Sequence, residues 1–407
     1  MDRRPHQSLA ALTLQFHATF LAMSSVIRTA SDRPAAGVAR RASDSRPRVL
    51  QVVLSLNPGG TERLVVELAR RLHEEVPTAV CCLDEAGAWA DELRTFGIAV
   101  TALNRPAGFS PSLGRRVAAV AARHGATVLH CHHYSPFVYG ALAKLWRPAM
   151  SVIYTEHGRL SDTPPSPKRR LANTVFGRLP GAVFAVSREL RDHIVDEGFS
   201  PAVADVIYNG IDIGPVSSDA ERASVRQELG VRDDTFVIGT IARLDPVKDL
   251  GTLIRAVALL PQDCMLLVIG DGSQMLPLKQ EAIAAAIGDR VRFLGQRDDA
   301  RRWLAGCDVY ANSSISEGVS LTILEAMAAA LPVVATAVGG TPEVVDTASG
   351  LLVPSRDSRA LAAALADLRS DASRRRSIGR AARQRVQAHF TMDRMVADYR
   401  RVYERLA

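Results

Sequence analysis

The chain has 407 residues, 47% of them hydrophobic, and a formal net charge of +7. This length is too great for one ordinary core and predicts two domains of roughly 150 to 200 residues. An aromatic content of 5% and the lack of a recognisable nucleic-acid-binding motif argue against nucleic acid as a partner. The five cysteines, two of them adjacent, predict buried thiols in a reducing compartment, the cytoplasm, without a disulfide framework.

Residues 1–45 precede the first strong strand pattern. Arg3 and Arg4 come before a weak apolar stretch, 9–23, that two polar residues interrupt. A signal peptide has a similar outline, but no convincing small-residue cleavage site follows. We therefore expect a disordered leader or an over-extended start. No apolar run reaches the roughly eighteen residues that a membrane-spanning helix needs, so any membrane contact should be peripheral.

From residue 48 onward, short apolar runs alternate with helical patterns. The expected strands are 48–56, 78–83, 99–103, 128–130, 152–155, 182–186 and 203–207, and then 236–241, 265–269, 291–294, 309–311, 333–335 and 351–353. Alternation of this kind indicates parallel sheets with helices on both faces.

The strand pattern restarts after a polar stretch, which predicts an α/β fold of two doubly wound, Rossmann-like domains. We place the first domain at 46–213, a linker at 214–235 and the second domain at 236–388. The last segment, 389–407, is amphipathic and is expected to pack back onto the first domain as a helix. Ligands of open parallel sheets bind beyond the carboxyl ends of the strands, so the domains should face a cleft.

Two strand-to-helix turns share a Gly-Gly-Thr sequence, one in each expected domain. Paired glycines allow backbone N–H groups to approach a phosphate, and a helix N-terminus adds partial positive charge. Both turns are therefore candidate anion sites, with the threonine as helix N-cap. The residues are Gly59, Gly60 and Thr61, and Gly339, Gly340 and Thr341.

Arg243 and Lys248 lie just past the expected strand 236–241. At the carboxyl end of that strand, both cations would neutralise a diphosphate in the cleft. Lys248 is notable because arginine outnumbers lysine 46 to 4 in this chain. The alternative is a solvated loop that pairs these cations with Asp245 and Asp249.

Two acids stand eight positions apart in SEGVSLTILEAMA, residues 316–328. Glu317 lies in a polar loop, and Glu325 lies on a helix that Ser320 or Thr322 can cap. A carboxylate at such a junction can accept two sugar hydroxyls, and one further along the helix can reach a ribose. Taken singly, each glutamate is better explained as a solvated residue, whereas the two together favour a binding site.

Two further turns are expected at the cleft. Gly270 begins a Gly-Asp-Gly turn that resembles a dinucleotide fingerprint without its third glycine. His157 follows the strand 152–155 in a polar loop and is a candidate catalytic residue. His130, His132 and His133 suggest a metal cluster, but a pair on a strand without a clear third ligand favours a structural role, and we expect no metal site.

Taken together, the motifs resemble the retaining glycosyltransferases of the GT-B fold, family 4 or "glycosyl transferases group 1". The resemblance spans residues 48–407 and rests on NPGGTE, TEHG, AVS, YNGID, ARLDPVKD, VIGDG, SEGVSLTILEAMA, VGGTPEVV and GLLVP, in that order. The EHGR loop is most similar to bacterial exopolysaccharide-assembly members.

This resemblance implies a transferase that moves a hexose from a nucleotide-sugar donor to a hydroxyl of a glycan or lipid-linked acceptor with retained configuration. It implies no cofactor and no bound metal. Arg243 and Lys248 would bind the donor diphosphate, Glu325 the ribose and Glu317 the sugar hydroxyls. The resemblance further implies that Gly59 and Gly60 close over the diphosphate and that His157 contacts the sugar.

The surface of the first domain is expected to be basic. Residues 93–155 contain no Asp or Glu. We hypothesise that this face rests on an anionic membrane, although an ordinary solvated basic face explains the charge equally well. The residues involved are Arg115, Arg116, Arg123, Lys144, Arg147, Lys168, Arg169, Arg170 and Arg178, beside Leu171, Val175, Phe176 and Leu179.

Two alternative functions remain at this stage. A nucleotide-sugar 2-epimerase can share the two-domain architecture, and it would isomerise its substrate without an acceptor. A non-catalytic sugar-nucleotide-binding protein is the other alternative, although the presence of both glutamates and both cations argues against it.

Overall fold

The computed structural model of the chain describes residues 46–159 and 167–407. The expected leader lies outside the described residues, as do the side chains of Lys168 and Arg169. Within the described part of the chain, no helix is both long and apolar enough to cross a membrane.

The first sheet consists of parallel strands. The strands are β1 (Val49–Val53), β2 (Thr78–Cys82), β3 (Val100–Ala102), β4 (Val128–His132), β5 (Ser151–Glu156), β6 (Ala182–Ala185) and β7 (Ala204–Val206). The central strands β1, β2 and β4 are buried along their whole length. They pair in the order β3-β2-β1-β4-β5-β6-β7. The helices that follow them are α1 (Gly60–Leu72), α2 (Ala90–Thr95), α3 (Ser112–Arg123), α4 (Tyr134–Ala143), α5 (Pro167–Phe176) and α6 (Arg188–Asp196). We call this part the N-lobe.

The second sheet is also parallel and belongs to the part we call the C-lobe. Its strands are β8 (Phe236–Ile241), β9 (Cys264–Ile269), β10 (Val291–Phe293), β11 (Val309–Asn312), β12 (Val333–Thr336) and β13 (Gly350–Val353). They pair in the order β10-β9-β8-β11-β12-β13. Its helices are α7 (Asp219–Leu229), α8 (Leu250–Ala258), α9 (Met275–Ala284), α10 (Ala300–Trp303), α11 (Leu321–Ala328), α12 (Thr341–Val344), α13 (Ser358–Ser370) and α14 (Ala372–His389), and α15 (Met392–Leu406) ends the chain.

Two doubly wound parallel sheets confirm the predicted fold class. All thirteen predicted strands occur among the described residues, with ends within about three residues of the prediction. Continuous Val, Ile and Leu runs made these strands recognisable, because strands covered by helices on both faces are apolar throughout.

Half of the stretch 214–235, which the sequence predicted as a linker, is the 11-residue helix α7, and this helix packs on the C-lobe. Ser218 and Glu221 form a capping box at the start of α7, and Gly230 ends the helix in the left-handed region. Arg226 is buried and donates to backbone carbonyls at Gly306 and Thr235. Because this segment is polar, the sequence did not predict that it contains a capped helix held on the C-lobe by a buried arginine.

The chain crosses between the lobes twice, and the two crossings lie side by side. Ile211 donates its N–H to Phe390 and accepts the N–H of Met392, at 3.0 and 2.9 Å. After the second crossing, α15 packs on the N-lobe, where Met395, Tyr399 and Tyr403 join the same buried cluster as Val49 and its neighbours. The two crossing segments are thus joined to each other by backbone hydrogen bonds.

Candidate functional site

A cavity of about 440 Å³ lies where the carboxyl ends of the two sheets meet. The N-lobe contributes the turn 57–62 after β1, His133 after β4 and the loop 157–159 after β5. The C-lobe contributes Arg243, which follows β8. These residues lie beyond strand ends, where ligands of parallel sheets bind.

The turn after β1 directs the N-terminus of α1 toward this cavity. The helix begins at Gly60 with Gly59 as N-cap, so the prediction that Thr61 is the N-cap is wrong. The Thr61 hydroxyl instead lies 3.1 Å from His133 Nε2. A Cβ at Gly60 would be 3.7 Å from Leu321 of the C-lobe. The first amides of α1, which have no partner within the helix, therefore lie at the junction of the lobes.

Lys248 and Glu317 form a partly buried ion pair. Lys248 Nζ lies 2.6 Å from Glu317 Oε1, and the side chains are 19% and 8% exposed. Glu317 also accepts from Ser314 Oγ at 2.6 Å and from Asn312 Nδ2 at 3.3 Å. The sequence placed both residues at one site but did not predict that they would bind each other.

Arg243 is the more accessible of the two expected phosphate-binding cations. Its side chain is 70% exposed, and its guanidinium lies 3.3 Å from Asp245. The Gly270 turn supports its backbone, because a Cβ at Gly270 would fall 1.9 Å from the carbonyl oxygen of Ala242. Gly270 also has φ +134°, a region that favours glycine. This glycine therefore positions the Arg243 loop and does not line the cavity described above.

Glu325 lies on the second turn of α11, beyond the N-cap Ser320. Its carboxylate is 22% exposed and lies 3.8 Å from Arg301. Burial raises the pKa of Glu325, and the positive charges of Arg301 and Arg63 oppose that shift. Below the helix, the buried Tyr310 donates to Thr322 at 2.8 Å. The start of α11 is thereby tied to β11.

The second Gly-Gly turn lies against the backbone of the Glu317 loop. The Gly340 N–H donates to the carbonyl oxygen of Gly318 at 3.0 Å, so this amide is not available to an anion. Gly340 is the N-cap of α12, which has only four residues, and the prediction that Thr341 is the N-cap is also wrong. A Cβ at Gly339 would lie 1.8 Å from the Glu317 carbonyl oxygen. The turn lets two backbones approach and holds the Glu317 loop in place.

A chain of buried hydrogen bonds runs from the cavity into the N-lobe. His157 Nε2 lies 2.9 Å from His132 Nδ1, and His132 Nε2 lies 2.8 Å from Gln51 Oε1. Gln51 Nε2 donates to the Tyr403 hydroxyl at 3.1 Å, and that hydroxyl lies 2.7 Å from His130 Nδ1. Among the described residues, no group of three or more His, Cys, Asp or Glu side chains is arranged to hold a metal ion. The contacts support the structural interpretation of His130 and His132.

Burial favours the neutral form of the three histidines in this hydrogen-bond chain. Burial lowers the pKa of His130, His132 and His157 well below the usual value. The Nδ1 atom of His157 is shielded from solvent and has no hydrogen-bond partner in the described part of the protein. The cavity-facing histidine therefore keeps one ring nitrogen without a protein partner.

His133 belongs to a second polar cluster at the cavity wall. Its Nδ1 lies 2.7 Å from Glu156 Oε1, while Glu156 Oε2 accepts from the Tyr154 hydroxyl at 2.6 Å. Burial alone would lower the pKa of His133, but the hydrogen bond and charge of Glu156 raise it. The backbone of His133 has φ +71°, a strained conformation for a residue other than glycine. Glu156 therefore favours the protonated form of His133, which lies beside Thr61.

Glu343 connects the lobes on the side of α12. Its two carboxylate oxygens accept the N–H groups of Arg188 and Glu189, at 3.0 and 3.1 Å, which are the first residues of α6. The Tyr208 hydroxyl donates to the same carboxylate at 2.8 Å. A C-lobe anion therefore occupies the positive end of an N-lobe helix, where charge is stabilised.

We expect Glu343→Gln to loosen the lobes because an amide offers one acceptor oxygen for two N–H groups. The predicted loss is about 1 to 2 kcal/mol of unfolding free energy, with a larger radius of gyration. Urea unfolding and small-angle X-ray scattering measure these quantities. Glu404→Gln, at an exposed position of α15, is the matched control. Equal scattering from the two variants would show that Glu343 does not hold the lobes together.

Comparison with known proteins assigns the family. The profile described as Glycosyl transferases group 1 matches residues 221–385, and that of Glycosyltransferase Family 4 matches 58–214. A D-inositol 3-phosphate glycosyltransferase of Salinispora arenicola is 30% identical over 72% of this chain and 72% of its own length. This chain is a family 4 glycosyltransferase. The GT-B architecture expected from the motifs is thereby confirmed.

Further relatives of this glycosyltransferase differ in the acceptor that their names give. The D-inositol 3-phosphate glycosyltransferase of Salinispora tropica is 33% identical over 71% of this chain and 66% of its own length. The N-acetyl-alpha-D-glucosaminyl L-malate synthase of Bacillus anthracis is 29% identical over 72% and 78%. Anabaena HepE, solved with UDP and glucose, superimposes with a TM-score of 0.79 at 26% identity, over 88% of this chain and 99% of HepE.

Gln51, Glu156 and Tyr403 of this glycosyltransferase were not predicted from the sequence as site residues. Gln51 interrupts the otherwise apolar strand β1, and a polar residue in a buried strand requires a partner. Tyr403 shares the apolar face of α15, where its hydroxyl had no evident purpose. Neither residue could be paired with the histidines until the strands and α15 were placed in space.

Proposed function

We propose that this glycosyltransferase moves a hexose from a nucleotide-sugar donor to a hydroxyl of a glycan or lipid-linked acceptor, with retention of anomeric configuration. The observation that carries the proposal is the cavity in which the N-terminus of α1 and Arg243 converge from opposite lobes. Converging amide and guanidinium donors suit the diphosphate of a nucleotide sugar. HepE, which has the same fold, was solved with UDP and glucose.

Each site residue has a proposed role in donor binding. Arg243 and Lys248 neutralise the diphosphate, Glu317 accepts sugar hydroxyls and Glu325 binds the ribose. Lys248 has three N–H donors, so its contact with Glu317 leaves capacity for a phosphate oxygen. In this mechanism the two cations take the place of a divalent metal, so transfer should persist in excess chelator.

The proposed chemistry is a front-face displacement. The bond between the anomeric carbon and the phosphate oxygen breaks while the acceptor oxygen bonds to that carbon from the same side. The acceptor proton passes to the departing phosphate oxygen, so no enzyme base is consumed. Arg243, Lys248 and the amides of α1 stabilise the charge that develops on the leaving diphosphate.

We propose two classes of acceptor, and each would approach the site over a different surface of the protein. The names of the relatives include inositol 3-phosphate and malate, both small anions. His133 and Arg159, which line the cavity, would suit an anionic group of the acceptor. A lipid-linked glycan, as in exopolysaccharide assembly, would instead approach along the basic N-lobe.

All five cysteines are buried and unpaired, which supports a cytoplasmic location.

A donor screen followed by product analysis tests the proposed function. Thermal shift with UDP-, GDP- and ADP-sugars should identify one stabilising donor, because a ligand at 100 times its dissociation constant adds about 2.7 kcal/mol. Labelled sugar from that donor should then appear on an acceptor as the same anomer. An isomerised donor without transfer would indicate an epimerase. Binding without turnover in the presence of candidate acceptors would indicate a binding protein.

We also propose that the basic N-lobe face docks on anionic membrane. Helix α3 packs on α4, Arg115 and Arg116 are exposed on α3, and Trp146 after α4 is 48% exposed. On α5, Leu171 and Val175 are exposed beside Arg170. Apolar side chains among basic ones suit an anionic lipid surface.

Vesicle co-sedimentation tests this docking. The protein should bind anionic vesicles more tightly than neutral ones, and each basic residue removed from the face should weaken binding by about 1 kcal/mol. The test variants are Arg115→Ser with Arg116→Ser, and Lys168→Ser with Arg169→Ser and Arg170→Ser. Arg376→Ser with Arg380→Ser, both exposed on α14, is the control. Equal binding to neutral and anionic lipid would rule the docking out.

A further inference from the structure

In the buried hydrogen-bond chain of the N-lobe, Gln51 determines which atom of each pair donates and which accepts. Gln51 is the member whose two ends differ chemically, because an amide oxygen only accepts and an amide nitrogen only donates. Its Oε1 lies 2.8 Å from His132, and its Nε2 lies 3.1 Å from the Tyr403 hydroxyl. The side chain is fully buried, so water cannot replace either partner.

Gln51 fixes which atom donates and which accepts in each hydrogen bond between itself and the cavity, and this order is relayed by two neutral imidazoles. A neutral imidazole has one N–H donor and one acceptor nitrogen. His132 Nε2 must carry the proton that faces Gln51 Oε1, which leaves its Nδ1 as an acceptor. His157 Nε2, 2.9 Å away, must then carry a proton. The remaining nitrogen, His157 Nδ1, is left with a lone pair.

The other branch of the chain is complete without a ligand. The Tyr403 hydroxyl accepts from Gln51 and donates to His130 Nδ1 at 2.7 Å. His130 Nε2 lies 2.8 Å from Thr155 Oγ1, which lies 3.2 Å from the Tyr399 hydroxyl. Every ring nitrogen and amide group in the chain has a partner except His157 Nδ1.

A buried polar network is costly when one member lacks a partner and specific when all are paired. Here the single unpaired atom belongs to the residue that lines the cavity. A lone pair at that position accepts from a hydroxyl. A protonated nitrogen at the same position would instead favour a phosphate oxygen.

We propose that Gln51 and Tyr403 are positioning residues that hold His157 as its Nε2-protonated tautomer, so that Nδ1 accepts a hydrogen bond from a hydroxyl of the bound donor sugar. The sugar contact rests on the proposed function, whereas the tautomer does not. The C-terminal helix α15 thereby takes part in donor recognition, because turning the Gln51 amide would convert His157 Nδ1 from an acceptor into a donor.

Nitrogen NMR of the full chain labelled with ¹⁵N-histidine tests the tautomers directly. Signals of His132 and His157 are assigned by their loss in His132→Gln and His157→Gln. In the unsubstituted protein without ligand, both residues should show a protonated Nε2 and an unprotonated Nδ1. A protonated Nδ1 on His157 would overturn the proposal. The tautomers are read from the unsubstituted protein, and the two variants serve only to assign its signals.

Tyr403→Phe and Tyr399→Phe form a matched pair on one helix. Both tyrosines are buried, but the Tyr403 hydroxyl alone contacts Gln51 among the contacts described above. Tyr403→Phe should give mixed His157 tautomers and about tenfold lower kcat/KM with UDP-glucose, equivalent to about 1.4 kcal/mol. Stabilisation by UDP should be unchanged. Tyr399→Phe should keep both the tautomers and kcat/KM.

The outcomes separate the inference from the proposed function. Native-like tautomers in Tyr403→Phe would refute the positioning role of Tyr403. Equal losses in the two variants would show a packing effect and would also refute it. Absence of transfer from every sugar nucleotide, together with the expected tautomers, would refute the proposed function and support the tautomer assignment.

Discussion

Lys248→Ala should lower transfer by about a thousandfold and destabilise the protein by about 3 kcal/mol. The change removes a cation assigned to the leaving diphosphate. It also leaves the Glu317 carboxylate, only 8% exposed, without its 2.6 Å ion-pair partner. Hydrogen bonds from Ser314 and Asn312 remain, so the expected loss is at the low end for a broken buried pair. Steady-state kinetics and denaturant unfolding measure the two effects.

Two further variants separate stability from transfer. Lys248→Ala combined with Glu317→Gln should recover most of the lost stability, because no unpaired charge remains buried, and it should stay inactive. Lys279→Ala, at an exposed lysine of α9, should change neither quantity. Full activity in Lys248→Ala would remove the residue from the proposed mechanism.

Gly339→Ala should destabilise the protein by about 3 kcal/mol and reduce transfer by about a hundredfold. A Cβ at this position would fall 1.8 Å from the carbonyl oxygen of Glu317, which is backbone and cannot rotate aside. The φ of +52° adds a left-handed strain of about 1 kcal/mol for alanine. Displacing the Glu317 loop would move the carboxylate and its lysine together. Unfolding curves and kcat/KM report the outcome.

Gly230→Ala separates the backbone strain from the steric contact. Gly230 has φ +67° at the end of α7, and a Cβ there would meet nothing within 4 Å. This variant should lose about 1 kcal/mol and keep full activity. If the two variants behave alike, the close approach of the Gly339 turn to the Glu317 loop is not what matters.

The sequence predicted the strands well because buried parallel strands are apolar along their whole length. Apolar periodicity did not predict the helix α7 within 214–235, because α7 is polar. Its capping box at Ser218 and Glu221 and its terminal Gly230 were signals available in the sequence. The burial of Arg226 could not have been predicted, because it depends on carbonyls more distant in the chain, such as that of Gly306.

Sequence motifs also predicted which residues meet near the cavity, but not how each one acts. Gly59, Gly60, His157 and Arg243 line the cavity together, whereas Lys248 and Glu317, which are not among its lining residues, bind each other. Gly270 and Gly340 instead permit close backbone contacts. A glycine in a turn serves an anion, a positive φ or a neighbouring backbone, and sequence alone does not separate these uses.

By itself, the sequence determined the order of strands and helices, the two-domain α/β class and the positions of the cations and acids, because these follow from local periodicity and turn chemistry. The tertiary structure alone decided the Lys248–Glu317 pairing, the Glu343 contact with α6 and the direction of the histidine chain. Gln51 and Tyr403 lie 352 positions apart. Hydrogen bonds between such distant residues depend on how the sheet and α15 pack, and no local pattern encodes them.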